Sequence, residues 1–241
     1  MLHSFLALGR SFLHLIYPPL CIHCEELLSD QFSTLCTSCL AHLELINAKE
    51  RCPLCFSSEI ENFSSLCTLC CQQPPLLNGT AAAFDYSGPA ATLVKLLKYE
   101  QKPYLAEGCA AYLATQFLQL EWPMPDFLVP VPIPWIRYLE RGYNQSFLLA
   151  EALGKLLNRP TLNALKRKSG DYSQASLSRQ QRTELNSSSI LLHSDSIPHI
   201  MDKSILLIDD VLTTGSTLQR CSQALLAGCP KSLYALTVCY A

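Results

Sequence analysis

The chain has 241 residues, a formal net charge of −2 and 49% hydrophobic residues, enough for one core of ordinary size plus a small module. A near-neutral balance excludes a protein that meets nucleic acid or an acidic membrane through bulk charge. The charge is unevenly spread. Residues 1–80 hold three cations against seven acids, whereas residues 137–184 hold nine cations against four acids, so an anion is expected on the second region.

At the N-terminus, Leu2, Phe5, Leu6, Gly9, Phe12, Leu13 and Ile16 recur at helical spacing and predict an amphipathic helix over residues 1–20 that caps the fold, with membrane contact as the alternative. No basic residue precedes the apolar run, Arg10 interrupts it, and no small-residue cleavage site follows, so it does not read as a signal peptide. No other stretch is long and apolar enough to span a bilayer. A cytoplasmic location is expected.

Nine of the 13 cysteines fall between residues 21 and 71. Eight form four Cys-x-x-Cys pairs, Cys21/Cys24, Cys36/Cys39, Cys52/Cys55 and Cys67/Cys70, separated by 11, 12 and 11 residues. Two thiolates on a tight turn bite one tetrahedral zinc and a second pair completes the shell, so residues 21–75 predict two structural zinc ions. Disulfides are the alternative, disfavoured because nothing indicates export. His23 reads as a surface residue and Cys71 as a spare thiol. Spacing alone permits the first pair to share its metal with the second or the third. Glu25, Leu40, Phe56 and Cys71 stand where zinc knuckles often carry glycine. So small a module has almost no apolar core, and metal supplies its folding energy.

Gln72-Gln73-Pro74-Pro75 reads as a linker into a second domain, residues 76–241. Thr92–Lys98 and Tyr104–Leu120 predict helices, and Phe127–Val131 a strand that Pro130, Pro132 and Pro134 convert into a rigid loop. Arg137 and Arg141 follow and suit a diphosphate clamp. Asn144–Leu157 predicts a helix with an Asn cap. Residues 166–186 are polar and aperiodic, a mobile loop or hairpin. Ser189–Leu192 and Ser204–Ile208 are expected to complete a parallel sheet.

The most specific segment runs from Ile205 to Leu218. Four apolar residues make a buried strand, and Asp209 and Asp210 follow where it would end. Thr213, Thr214, Gly215, Ser216 and Thr217 then offer hydroxyls and free backbone N–H groups at the start of a helix, which makes a phosphate cradle. Two carboxylates beside it suit a pair of sugar hydroxyls, directly or through Mg²⁺. Phosphate on one side and diol on the other describe a ribose 5-phosphate.

This segment resembles the phosphoribosyl-pyrophosphate (PRPP) motif of type I phosphoribosyltransferases. Val129-Pro130-Val131-Pro132, Arg141-Gly142-Tyr143-Asn144-Gln145, Gln174, Leu177, Arg182, Lys98-Tyr99 and the paired cysteines narrow the resemblance to the ComF family, over nearly the whole chain. It implies an α/β fold: a type I phosphoribosyltransferase-like parallel sheet flanked by helices, behind a small zinc-ribbon module whose pairs ligate sequentially. It also implies PRPP, or another phosphorylated ribose, bound with Mg²⁺. Asp209 and Asp210 would take ribose hydroxyls and metal, residues 213–217 the 5-phosphate, and Arg137 and Arg141 the pyrophosphate. Gln174, Arg179 and Arg182 would lie in a flexible loop closing over the substrate. The alternative function is a non-catalytic module for single-stranded DNA, or a docking surface for competence or DNA-processing proteins.

Overall fold

The structure is a computed structural model that describes residues 18–30, 33–60, 66–167 and 190–241. Most of the predicted N-terminal helix, and Gln174, Arg179 and Arg182, lie outside the described residues. The described strands are β1 (Gly79–Asp85), β2 (Phe127–Pro130), β3 (Leu165–Arg167), β4 (Ile190–Leu192), β5 (Ser204–Leu212) and β6 (Ser232–Tyr240). The described α-helices are α1 (Thr37–Ala41), α2 (Thr68–Gln72), α3 (Gly88–Tyr99), α4 (Leu105–Gln119), α5 (Trp135–Arg141), α6 (Gln145–Leu157), α7 (Ile197–Ile200) and α8 (Ser216–Leu226).

Among the described residues, four strands make a parallel sheet in the order β1-β6-β5-β2. Burial along β1, β5 and β6 is nearly continuous, as it must be for strands covered on both faces. Helices α4 and α6 pack on each other and on this sheet. Within α4 Leu105, Cys109 and Leu113 are buried in the core, and Tyr112 and, just past its end, Leu120 pack partly against it.

Two expectations are corrected. Residues 190–192 do not join the parallel sheet; they pair antiparallel with β3. The outer edge of β2 is already taken, because Leu128 donates to the Pro160 carbonyl and accepts from Leu162 N–H. The strand expected to stop at Ile208 continues to Leu212. Its pairing with β2 ends at Pro130–Ile208, whereas its pairing with β6 runs on to Leu212–Tyr240. Asp209 and Asp210 are therefore strand residues that project beyond a shorter neighbour.

The cysteine-rich segment lies along the free edge of β1. Ile46 N–H donates to the Ala83 carbonyl (2.9 Å), Thr80 N–H donates to the Pro53 carbonyl (3.2 Å), and Arg51 pairs with Asp85 (3.0 Å). Covering an edge strand in this way removes a site for unwanted strand pairing. Leu28, Leu35, Leu43, Ile46 and Phe56 are buried within the main core. The segment thus has more apolar packing than its composition suggests, borrowed from the sheet.

Each cysteine of the first four recurs 31 positions later, from Cys21/Cys52 to Cys39/Cys70, and the backbone repeats with it. Cys21 N–H meets the Glu26 carbonyl as Cys52 N–H meets that of Ser57, both at 2.8 Å. Glu25 (φ 61°) and Phe56 (φ 67°) take the left-handed conformation that glycine usually supplies at a knuckle. Leu40 and Cys71 instead lie in α1 and α2, where the backbone is right-handed and glycine has no advantage.

Candidate functional site

The end of β5, the loop 213–215 and the first turn of α8 bring together the residues that the sequence assigns to a phosphate cradle. Gly215 caps α8 at φ +70°, and Thr214 Oγ1 accepts from Ser216 N–H at 3.4 Å. Thr213, Thr214 and Ser216 are exposed, and Thr217 is half-buried. Hydroxyls and the first N–H groups of an eleven-residue helix thus converge where an anion is favoured.

Asp209 and Asp210 leave the strand on opposite faces, as neighbours in a strand must. Asp209 Oδ1 accepts from the Ser146 hydroxyl (2.8 Å) and from Asp210 N–H (2.9 Å). Burial and the adjacent Asp210 push its carboxyl up to about 7, against those two hydrogen bonds and Lys98. Asp210 is buried and meets Lys98 Nζ at 2.7 Å. Carboxylate oxygens are the donors a hard cation such as Mg²⁺ takes. Chemically both acids fit it, but they do not face one another as a single chelate.

The segment Arg141–Ser146 is folded around these acids. Gly142 ends α5 at φ +80° and lets the chain turn into α6. Asn144 caps α6 by accepting from Ser146 N–H (3.0 Å), and its Nδ2 donates to the Val131 carbonyl (3.0 Å). One side chain therefore starts the helix and fixes the proline-rich loop. Tyr143 donates its hydroxyl to the Leu97 carbonyl (2.7 Å), and the Arg141 guanidinium lies 5.2 Å from the centre of the Tyr99 ring. Arg141 is thus held against Tyr99, the residue that follows Lys98. Arg137 is held elsewhere, in an exposed pair with Glu140 on α5.

Three residues at the site had only weak sequence signals. Lys98 was notable merely as part of Lys98-Tyr99. Ser146 lies buried in the first turn of α6, where a hydroxyl needs a partner. Arg167, at the start of the polar stretch, donates Nε to the Pro132 carbonyl at 2.7 Å and so braces the proline loop from the far side. A shallow depression around Glu151, Lys155, Asn158 and Thr161 lies at the other end of α6, away from these groups.

The cysteines gather as two sets, Cys21/Cys24/Cys36/Cys39 and Cys52/Cys55/Cys67/Cys70, each with all Sγ atoms within 4.8 Å of one another. First and second pairs thus share a cluster, as do third and fourth. The Cys24–Cys36 and Cys55–Cys67 contacts are 3.6 and 3.5 Å. Zinc–sulfur bonds of about 2.3 Å in a tetrahedron give edges of roughly 3.8 Å, so both clusters are compatible with zinc. Burial raises the thiols of Cys39, Cys55 and Cys70, but backbone N–H groups of Cys24, Cys36 and His23 outweigh it at Cys21, bringing it to about 6. Those of Cys67, Cys55 and Leu54 bring Cys52 to about 7. His23 is in neither set; its Nδ1 lies 2.8 Å from Thr92 Oγ1. Among the described residues no helix is long and apolar enough to cross a membrane.

Residues 144–241 match the phosphoribosyl transferase domain family. Competence protein F of Haemophilus influenzae is 30% identical over 212 residues, covering 85% of this chain and 90% of that protein. DNA utilization protein YhgH of Escherichia coli K12 is 27% identical over 217 residues, covering 88% and 92%. Competence protein ComFC of Streptococcus pneumoniae is 28% identical over 199 residues, covering 83% and 84%. Among solved structures, the glutamine PRPP amidotransferase from B. subtilis aligns with 59% of this chain and 30% of that one, at TM-score 0.40 and 13% identity. With its parallel sheet, its phosphoribosyltransferase domain and two four-cysteine clusters ahead of it, the chain belongs to the ComF/YhgH family of competence and DNA-utilization proteins.

Proposed function

We propose that this protein binds PRPP, or a closely related phosphorylated ribose, with Mg²⁺, and transfers the ribose 5-phosphate group to an acceptor with release of pyrophosphate. The observation that carries this reading is the hydroxyl-rich loop at the start of α8, directly after two acids that project beyond the end of β2. Thr213–Thr217 would hold the 5-phosphate. Asp209 and Asp210 would meet the ribose hydroxyls and hold the metal, and Arg141, with Arg137, would meet the pyrophosphate. Gln174, Arg179 and Arg182 would close over the ligand. In the transfer, the bond from the anomeric carbon to pyrophosphate breaks and one to the acceptor forms, through an oxocarbenium-like state. Mg²⁺ would screen the departing diphosphate. The protein's own part is to position the ribose and exclude water.

The organisation we propose is an N-terminal helix (1–20), a double zinc-ribbon module (21–75) holding two structural zinc ions, and a phosphoribosyltransferase-like domain (76–241), in a cytoplasmic protein. Calorimetric titration of the full chain with PRPP, with and without Mg²⁺, tests the ligand, and a pyrophosphate-release screen over candidate acceptors tests turnover. Absence of PRPP binding overturns the reading.

A second reading, single-stranded DNA binding, is favoured by α5. This helix buries none of its residues, and Trp135 and Tyr138 stack on it with ring centres 5.7 Å apart, beside Arg137 and Arg141. Exposed aromatics among arginines suit unpaired bases. The names of the relatives, competence and DNA utilization, agree with it. Trp135→Ala should then weaken oligothymidylate binding; unchanged affinity removes this surface from consideration.

A further inference from the structure

The group that meets Asp210 belongs neither to the phosphate loop nor to the arginine pair. Lys98, in the last turn of α3, places Nζ 2.7 Å from Asp210 Oδ1, with side chains only 20% and 10% exposed. An ion pair so far out of water is not the weak, screened kind found on surfaces. Its position is fixed from both sides. The preceding Leu97 accepts the Tyr143 hydroxyl through its carbonyl, and the following Tyr99 carries the Arg141 guanidinium over its ring. Three consecutive residues of α3 are thereby tied to the segments that build the site.

We propose that Lys98 is a resident cation of this site, competing with free divalent metal for Asp210. This rests on the PRPP–Mg²⁺ reading above. A divalent cation needs oxygens it can reach directly, and Oδ1 of Asp210 is occupied by an ammonium that would also repel the metal. Asp209 does not make good the loss, because it turns to the other face and already accepts two hydrogen bonds. A metal-bound diphosphate changes the balance. Its negative charge gives the displaced ammonium a new partner, so Asp210 passes to the metal without stranding a buried charge. Lys98 is then a positioning residue before binding and a ligand contact after it.

The test uses the full chain with zinc retained in its cysteine clusters, and Mn²⁺ alone as the probe, read by electron paramagnetic resonance without any PRPP. The wild type should bind Mn²⁺ weakly. Lys98→Met should tighten binding by at least about tenfold through loss of the competing charge, and Lys98→Gln should do the same. Lys98→Arg should stay weak. Adding Asp210→Asn to Lys98→Met should abolish the gain, locating the metal at Asp210. If the folded Met or Gln variant binds Mn²⁺ no better than the wild type, or if the gain survives Asp210→Asn, the proposal is wrong. Wild-type PRPP binding is measured separately, so failure of the ligand reading leaves this comparison readable.

Discussion

Stripping zinc from the cysteine clusters should open the β1 edge of the sheet while leaving its centre closed. Five apolar side chains of the cysteine-rich segment, Leu28, Leu35, Leu43, Ile46 and Phe56, are buried in the shared core. At roughly 1.5–3 kcal/mol each they contribute about 15 kcal/mol as an upper bound. The Arg51–Asp85 pair adds little, because Asp85 is 55% exposed. With one zinc in each cluster, the metals would contribute roughly 10–16 kcal/mol each, more together than this apolar burial. A strong chelator should therefore release about two zinc equivalents per chain by elemental analysis. Hydrogen exchange reports the consequence at single amides. Ile46 N–H bonds to Ala83 and Thr80 N–H to Pro53, both across the junction. Both should lose protection by at least about 100-fold, as expected when local opening costs nothing. The amides of Ile205–Ile208, in the middle of the sheet, should keep theirs. If Ile46 and Thr80 remain protected after both metals are gone, the segment folds on apolar packing alone, and the argument for zinc as its source of stability fails. One equivalent released would mean that one cluster holds no metal.

Three further outcomes concern the phosphate site. Arg141→Ala should weaken PRPP or pyrophosphate binding by about 1–3 kcal/mol, the scale of a charge-assisted hydrogen bond; unchanged affinity in calorimetry, with an unchanged fold, would leave Arg141 only its contact with Tyr99. Ser146→Ala removes the hydroxyl that holds Asp209 and should cost about 1–2 kcal/mol of PRPP affinity with little change in melting temperature; equal loss of both would make Ser146 a packing residue. Replacing Asp209 and Asp210 together by asparagine separates the two functional readings by sign. PRPP binding should vanish, whereas oligothymidylate binding should hold or rise, because two repulsive charges are gone and Lys98 is freed to meet phosphate. A folded double variant with full PRPP affinity would defeat the ribose 5-phosphate reading.

The parts of this molecule that could be read in advance are those whose cause is local. Ile205–Ile208 is an apolar run that a sheet covered on both faces requires, and the hydroxyl-rich loop behind it, beside two acids, suits an anion at a helix start. Asn144 is a helix cap by its side-chain chemistry and serves as one. What was hidden depends on register and on neighbours. The extension of β5 to Leu212 is set by its pairing with β6, which runs on after β2 ends at Pro130, and only that extension shows that Asp209 and Asp210 face opposite ways. Residues 190–192 look like any short buried strand; the Pro160–Leu162 segment, by occupying the β2 edge, sends them to β3. Helix α5 buries nothing: Trp135, Ile136, Tyr138 and Leu139 are exposed, so packing against the core does not dictate it.

The same dependence on neighbours ties the cysteine clusters to the acid pair. Helix α3 touches both. Near its start Thr92 Oγ1 meets His23, which lies between the first two cysteines, and near its end Lys98 meets Asp210. Six residues separate the two contacts, roughly 9 Å along a helix axis. Leu93, Val94, Leu96 and Leu97 are buried on the way, so the helix is anchored and transmits a shift at one end to the other. The clusters also cover β1, which pairs with β6, which pairs with the strand that carries the acids. The cysteine clusters and the acid pair are thus joined by two independent structural routes, sheet and helix.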